Sequence, residues 1–431
     1  MSLSTRKFDR RDFLKLTGVG GALAASGCAT TPEPARKIGR VIVIGAGFGG
    51  ATAAKYLRMW SEGAIEVFLI DSNPAFVSCP LSNLVLGGSR KIGDVTVGYT
   101  GLRERGIQVI NDTVSAINVD KKTISLSKIQ DLSWDRLIVS PGIEFMFDQV
   151  GRLRDAAVQQ RVLHAWRAGP QTVALRQQLE NMRDGGVYVL SIPLAPYRCP
   201  PGPYERACQV AHYFKTAKPR SKVIILDANP DLVSKPGLFR AQFNGQYKGI
   251  IEYRNNSEVK DVNVGTMSAI MDVGGDVRAD VLNVVPPQRA GNIAQQAGLI
   301  TANNRWCGVN WLTMESTARP GIHVLGDATL SAPAMPKSGH MANQHGKVAA
   351  AAIIELMNGR TPSATPMMAN TCYSFVDDKN VIHVASVHAY DPVDRTMKAV
   401  PGSGGVSTAA NELEGVYANA WARNIWNDML G

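Results

Sequence analysis

Short apolar runs, each closed by a turn and followed by a stretch of helical spacing, recur along this chain. RVIVI (40–44) is a β-branched run stopped by Gly45, and the alanine-rich ATAAKYL that follows predicts a helix. Further strands are predicted at IEVFLID (65–71), WDRLIVSPG (134–142), GGVYVLSIP (185–193), KVIILDANP (222–230) and GIHVLGDAT (321–329). YERACQVAHYFK (204–215) and the alanine-rich stretch after Gly339 read as helices. Strands alternating with helices predict an α/β fold with βαβ units. In the last stretch, NELEGVYANAWARNIWNDML, the spacing puts Val416, Ala420 and Ile425 on one helical face with Trp421 nearby, a core or interface stripe and not a membrane anchor.

The length of 431 residues suggests two or three domains, and an apolar fraction of 45% supplies sizeable cores. Net charge is +10, of which residues 1–28 hold +3, five basic side chains against two acidic ones. The remaining charge is spread and does not interleave with aromatics, so no nucleic-acid partner is expected; an anionic substrate or an acidic partner fits better.

Glycines and carboxylates carry the first chemistry. In Gly45-x-Gly47-x-x-Gly50, Gly45 allows the tight turn, Gly47 lets the backbone approach a pyrophosphate and Gly50 lets strand and helix pack closely. Asp71, about twenty residues on, ends the next strand where a carboxylate meets a ribose hydroxyl. Gly326-Asp327 ends a later strand and is similar to the second flavin motif of two-dinucleotide-domain flavoproteins, in which the aspartate contacts the ribityl chain. The helix that follows MPKSG directs its N-terminus, with Lys337, at the flavin pyrimidine, where positive potential stabilises a reduced ring.

The middle of the chain repeats the strand, helix and strand, the second strand ending in Asp227, but the loop that should hold glycines contains Pro193, Pro196, Pro200, Pro201 and Pro203 with Gly202 as its one glycine. Prolines remove backbone donors and block close approach, so this loop is not expected to hold NAD.

DRRDFLKLTGVGGALAASGC (9–28) resembles a twin-arginine export signal through Arg10 and Arg11, which implies export of a folded, cofactor-loaded protein to the periplasm. Cys28 closes a sequence resembling a lipoprotein processing box, and both lipid anchoring there and ordinary cleavage nearby stand as readings. No later segment has 18 uncharged apolar residues, so no transmembrane helix is expected and lipid on Cys28 is the one membrane attachment considered.

The six cysteines form no CxxC, CxxCH or zinc spacing, and the seven histidines no HExxH, so neither haem nor a metal site is expected in this chain. His340 and His345 read as helix surface or flavin-side contacts, Cys208 and Cys307 as inert buried thiols. The segments AFVSCPLSNLVLGG, APYRCPPGPYERA, NTCYSFV, VVPPQRAGNIAQQAGL, MPKSG and VPGSGGV together resemble the flavoprotein subunit of flavocytochrome c sulfide dehydrogenase. The resemblance implies two Rossmann-like, glutathione-reductase-like nucleotide-binding domains, the FAD domain at 39–145 and 286–365 and the second, without a working NAD loop, at 146–285. A C-terminal α+β interface domain at 366–431 and a linker at 29–38 complete the expected organisation.

It further implies FAD bonded covalently through Cys79, a redox disulfide between Cys199 and Cys372, Glu205 as the acid–base group beside it, and Trp421 as an aromatic near the flavin. The expected activity is oxidation of hydrosulfide to sulfur or polysulfide, with electrons leaving to a c-type cytochrome subunit. Three alternatives stand beside it: a sulfide:quinone oxidoreductase, an NADH-dependent disulfide reductase, against which the proline loop argues, and a non-catalytic flavoprotein whose disulfide is structural.

Overall fold

The computed structural model describes residues 37–431; the twin-arginine segment, Cys28 and most of the 29–38 linker lie outside them. Gly39–Ile44 lies inside a seven-stranded sheet whose order is Val309–Asn310, Glu315–Ser316, Ile322–Val324, Arg136–Val139, Gly39–Ile44, Ile65–Asp71, Gln108–Asn111. The last five run parallel, with Val41 opposite both Val67 and Arg136. Parallel strands are covered on both faces, which is why RVIVI is apolar at consecutive positions. Val41, Val43, Val67 and Leu69 pack with Ala51, Leu57, Ala349 and Ile353, while Ile42, Ile44, Phe68 and Ile70 join Ile124, Leu126 and Trp134 on the other side. The two helices on the first face, Phe48–Trp60 and Gly339–Met357, approach through glycine: a Cβ at Gly346 would lie 2.6 Å from the Gly49 carbonyl oxygen.

A second, all-parallel sheet has the order Ile251–Arg254, Lys222–Asp227, Val187–Ile192, Val281–Val284, and the helix Gly202–Ala217 joins its two central strands. The chain then forms an antiparallel sheet in which Met367–Phe375 pairs with Val381–Asp391, and ends in the helix Glu412–Leu430. The fold is thus α/β, two Rossmann-like units followed by an α+β C-terminal part.

One sequence expectation fails in that last helix. Val416 is 60% exposed, and the buried stripe is Ala418, Ala422, Ile425 and Met429. The helix docks through small residues, because a Cβ at Gly415 would stand 2.0 Å from the Lys379 carbonyl oxygen. Close backbone approach, which hydrophobicity does not report, chose the face. Among the described residues no helix is long and apolar enough to cross a membrane.

Candidate active site

A cavity of about 580 Å³ is lined by residues of the glycine turn, Asp71, the three segments holding Cys79, Cys199 and Cys372, Gly326-Asp327 and Lys337, a volume suited to a small-molecule cofactor. At one end lies the glycine turn. Gly45 has φ +94°, and a Cβ there would strike the Ser140 carbonyl oxygen at 2.2 Å; one at Gly50 would lie 1.9 Å from the Gly45 oxygen. Gly47 differs, since a Cβ would meet nothing within 4 Å. Its bareness therefore serves the cavity and not the packing. Asp71 lines the same end; one carboxylate oxygen accepts from the Ala46 N–H (2.7 Å) and the other from the Asn73 backbone and side chain (2.8 and 2.9 Å). The aspartate thus fixes the glycine turn, and its first oxygen keeps an acceptor site free.

Gly326, at φ +67°, donates its N–H to His345 Nδ1 (3.1 Å) and presents Asp327. His345 is buried, so it is not a surface group of the helix. Asp327 Oδ1 is buried without a hydrogen-bond partner, and burial raises its carboxyl above the usual range. An orphaned acceptor on the cavity wall fits a hydroxyl-bearing ligand. Lys337 lines the same cavity; its ammonium donates to the Asp327 backbone carbonyl (3.0 Å) and the Thr329 carbonyl and sits 3.7 Å from the Trp306 ring centroid. Burial lowers it to about 8. Its charge secures the loop that presents Asp327. Open space over Gly47, the free Asp71 site and the unpaired Asp327 oxygen together fit FAD.

Cys79, Cys199 and Cys372 converge on the same walls, each half-buried and each a free thiol. Cys199 lies within the proline loop at φ +57°, a conformation that costs a non-glycine residue about 1 kcal/mol. Two backbone bonds hold it, from its N–H to the Lys337 oxygen (2.7 Å) and from the Gly202 N–H to its carbonyl (2.9 Å). Gly202 leaves room for its sulfur, since a Cβ there would lie 2.8 Å from Cys199 Sγ. Cys372 occupies the middle of its strand opposite Val384, with Asn370 Nδ2 3.5 Å from its sulfur. Burial raises both thiols; at Cys199 the nearby Glu205 and Cys372 add to it, and at Cys372 Lys235 opposes it. Cys208 and Cys307 are fully buried, away from this cavity wall.

Glu205 comes from the first turn of Gly202–Ala217. Its carboxylate accepts from the Phe375 N–H (2.9 Å) and from Asn83 Nδ2 (2.9 Å), which ties the three cysteine segments together. Burial pushes the carboxyl upward against those two bonds. Behind Cys372, buried Lys235 donates to the Cys372 carbonyl (3.0 Å), Ser374 Oγ (2.8 Å) and the Ile382 carbonyl (3.4 Å), and burial brings it to about 8. Sequence reasoning missed Asn83, Lys235 and Arg198, which lie far along the chain from the groups they serve or carry no spacing signal. Trp421 lines the cavity with Tyr373 and His340, at ring separations of 6.1 and 5.7 Å.

In the second Rossmann-like unit the polar groups at the strand ends are partnered within the protein. Asp227, at the end of its second strand, is fully buried, and its oxygens accept from Tyr204 (2.8 Å), Tyr253 (3.1 Å) and Asn229 (2.7 and 2.9 Å). The proline-loop N–H groups of Arg198 and Cys199 are likewise taken, by Gln288 and Lys337.

Residues 39–177 match the pyridine nucleotide-disulphide oxidoreductase family model. Residues 172–286 match the central model of the sulfide dehydrogenase [flavocytochrome c] flavoprotein chain, and 364–430 match flavocytochrome c sulphide dehydrogenase, flavin-binding. The mitochondrial sulfide:quinone oxidoreductase of Mus musculus is 22% identical over 298 residues, 67% of this chain and 65% of that one. The chain therefore spans slightly less than two thirds of the mouse protein's length. The sulfide dehydrogenase [flavocytochrome c] flavoprotein chain of Chlorobaculum thiosulfatiphilum is 54% identical over 46 residues, 11% of this chain and 94% of that sequence. The X-ray structure of the Aquifex aeolicus sulfide:quinone oxidoreductase superposes with a TM-score of 0.73 at 19% identity, covering 90% of this chain and 91% of that one, a likeness of fold. With its flavin fingerprint and its central and C-terminal segments all matched, the chain belongs to the flavocytochrome c sulfide dehydrogenase flavoprotein family.

Proposed function

We propose that this protein oxidises hydrosulfide through a Cys199–Cys372 disulfide and FAD held in the same cavity, and hands the electrons to a c-type cytochrome. The observation that carries the reading is the convergence of Cys199, Cys372 and Glu205 on the cavity that also presents Gly47, Cys79 and Asp327. The left-handed backbone at Cys199, pinned on both sides, supports a functional sulfur, since strain of this kind persists where the surroundings over-determine it.

Gly45, Gly47 and the start of Phe48–Trp60 would hold the FAD diphosphate, Asp71 a ribose, Asp327 the hydroxylated chain, and Cys79 the ring. Bound FAD supplies a two-electron acceptor that releases electrons singly. In the oxidised pair, hydrosulfide attacks one sulfur; the S–S bond breaks, a persulfide forms on the attacked cysteine and the other leaves as thiolate. Both electrons of the broken bond stay with the departing sulfur, which falls by one oxidation level, while the hydrosulfide sulfur rises by one level in the new S–S bond. Glu205, kept toward its protonated form by burial, moves the proton at the departing sulfur. Lys235 offsets negative charge at Cys372.

The sealed Asp227 and the proline loop support a cycle without nicotinamide. The twin-arginine segment supports work in the periplasm, with Cys28 as the place for any lipid. The solved sulfide:quinone oxidoreductase of similar fold makes a quinone the rival acceptor. The test is anaerobic hydrosulfide oxidation by the FAD-loaded protein with ferric cytochrome c or a short-chain quinone as acceptor. Cytochrome reduction lost in Cys199→Ser is expected. A Cys199→Ser variant at the normal rate, or turnover with quinone alone, would overturn the reading.

A further inference from the structure

We infer that Arg198 is the residue that prepares Cys79 to bond the flavin, so that the loop carrying Cys199 also governs cofactor attachment. The inference rests on the reading of Cys79 as the flavin tether. Arg198 Nη2 donates to Cys79 Sγ at 3.2 Å, and the same nitrogen donates to the Trp166 carbonyl. Its backbone is fixed as well: the Arg198 N–H donates to Gln288 Oε1 (3.0 Å), and Trp166 Nε1 donates to the Arg198 carbonyl (3.3 Å). The guanidinium is therefore aimed at the sulfur from a clamped base, and Cys79 is fixed in turn by the Ser82 hydroxyl on its carbonyl (2.6 Å).

The neighbouring Arg206 does not compete for this role, because its guanidinium is spent on Asn83 (3.1 Å), Asn283 (2.9 Å) and the carbonyls of His164 (2.9 Å) and Ala165 (2.6 Å). A permanently charged guanidinium held 3.2 Å from the sulfur orients it and attracts the negative charge that develops on it as the S–C bond forms. Attachment exchanges the Cys79 S–H bond and one C–H bond of the ring methyl for an S–C bond. The two electrons and two protons so released go to the flavin ring, and dioxygen or ferric haem removes the electrons afterwards.

The experiment starts from apoprotein of the wild type, Arg198→Met, Arg198→Lys and Cys79→Ser, to which FAD is added in air. Acid-stable flavin is followed in time, free FAD affinity is measured separately, and iodoacetamide alkylation of Cys79 in the apoprotein is mapped by mass spectrometry. Arg198→Met is expected to attach flavin, and to alkylate at Cys79, at least about tenfold more slowly than wild type, with Arg198→Lys between them. Wild-type attachment and alkylation rates in Arg198→Met would overturn the inference while leaving Cys79 as the tether. Acid-stable flavin in Cys79→Ser would overturn the tether reading itself. Should Arg198→Met bind no FAD, the Cys79 alkylation rate decides: a fall supports the inference and an unchanged rate refutes it.

Discussion

Replacing Gly202 by alanine asks whether the placement of the Cys199 sulfur governs the chemistry. The new Cβ would stand 2.8 Å from Cys199 Sγ and 2.9 Å from the Trp166 ring, where nonbonded heavy atoms ordinarily keep about 3.5–4.0 Å. Each contact is therefore short by roughly 0.7 Å. Trp166 yields poorly, since it is buried, carries the Arg206 guanidinium at 4.7 Å and donates to the Arg198 carbonyl. Cys199 is held by its N–H and its carbonyl, so its sulfur swings away from the cavity position. Overpacking of this kind costs about 1–3 kcal/mol of stability. A misplacement near 1 Å at a reacting atom costs up to about a hundredfold in rate, so flavin bleaching by hydrosulfide should slow by about tenfold to a hundredfold. Anaerobic stopped-flow absorbance reads the rate, and the flavin absorbance before mixing reads FAD content. Bleaching within twofold of wild type in a fully loaded Gly202→Ala protein would refute the reasoning.

Gly47→Ala should give the opposite signature, because the added methyl enters open space at φ −72°: an unchanged unfolding midpoint, with FAD affinity down at least about tenfold by fluorescence titration. Glu205→Gln should flatten the pH dependence of stability. Burial places the folded carboxyl above its unfolded value, so its contribution is complete below about 4.3 and is lost as pH rises through the raised folded value. Urea unfolding from pH 4.5 to 8 should therefore decline less steeply in Glu205→Gln than in wild type. Lys235→Met leaves the Cys372 carbonyl and Ser374 Oγ without their buried donor; about 1–3 kcal/mol should be lost in the same unfolding assay. Alkylation mapped to Cys372 should slow too, because Lys235 is the charge opposing burial there.

How far the sequence could be read depended on the range of the interactions. The glycine fingerprint, the strand-ending aspartates and the proline loop are local features whose backbone consequences follow from residue type, and the parallel sheets repeat them. Cys79, Cys199 and Cys372 were picked out by segment resemblance, whereas their common cavity is a product of three distant segments. Asn83 reaches Glu205 and Lys235 reaches Cys372 across more than a hundred residues, which no spacing encodes. Lys337 was legible as a cation near the flavin motif, but its capture by two carbonyls and Trp306 depends on tertiary packing. The C-terminal helix misled because apolar Val416 faces solvent while Gly415 and Ala418 make the close contacts.

The most direct test of the account is to mix the FAD-loaded, oxidised protein anaerobically with one equivalent of hydrosulfide and follow flavin absorbance while trapping the thiols for mass spectrometry. The account predicts flavin bleaching together with an added sulfur atom on Cys199 or Cys372, both lost in Cys199→Ser and in Cys372→Ser. Bleaching in those two variants at the wild-type rate, with no sulfur added to either cysteine in the wild type, would contradict it.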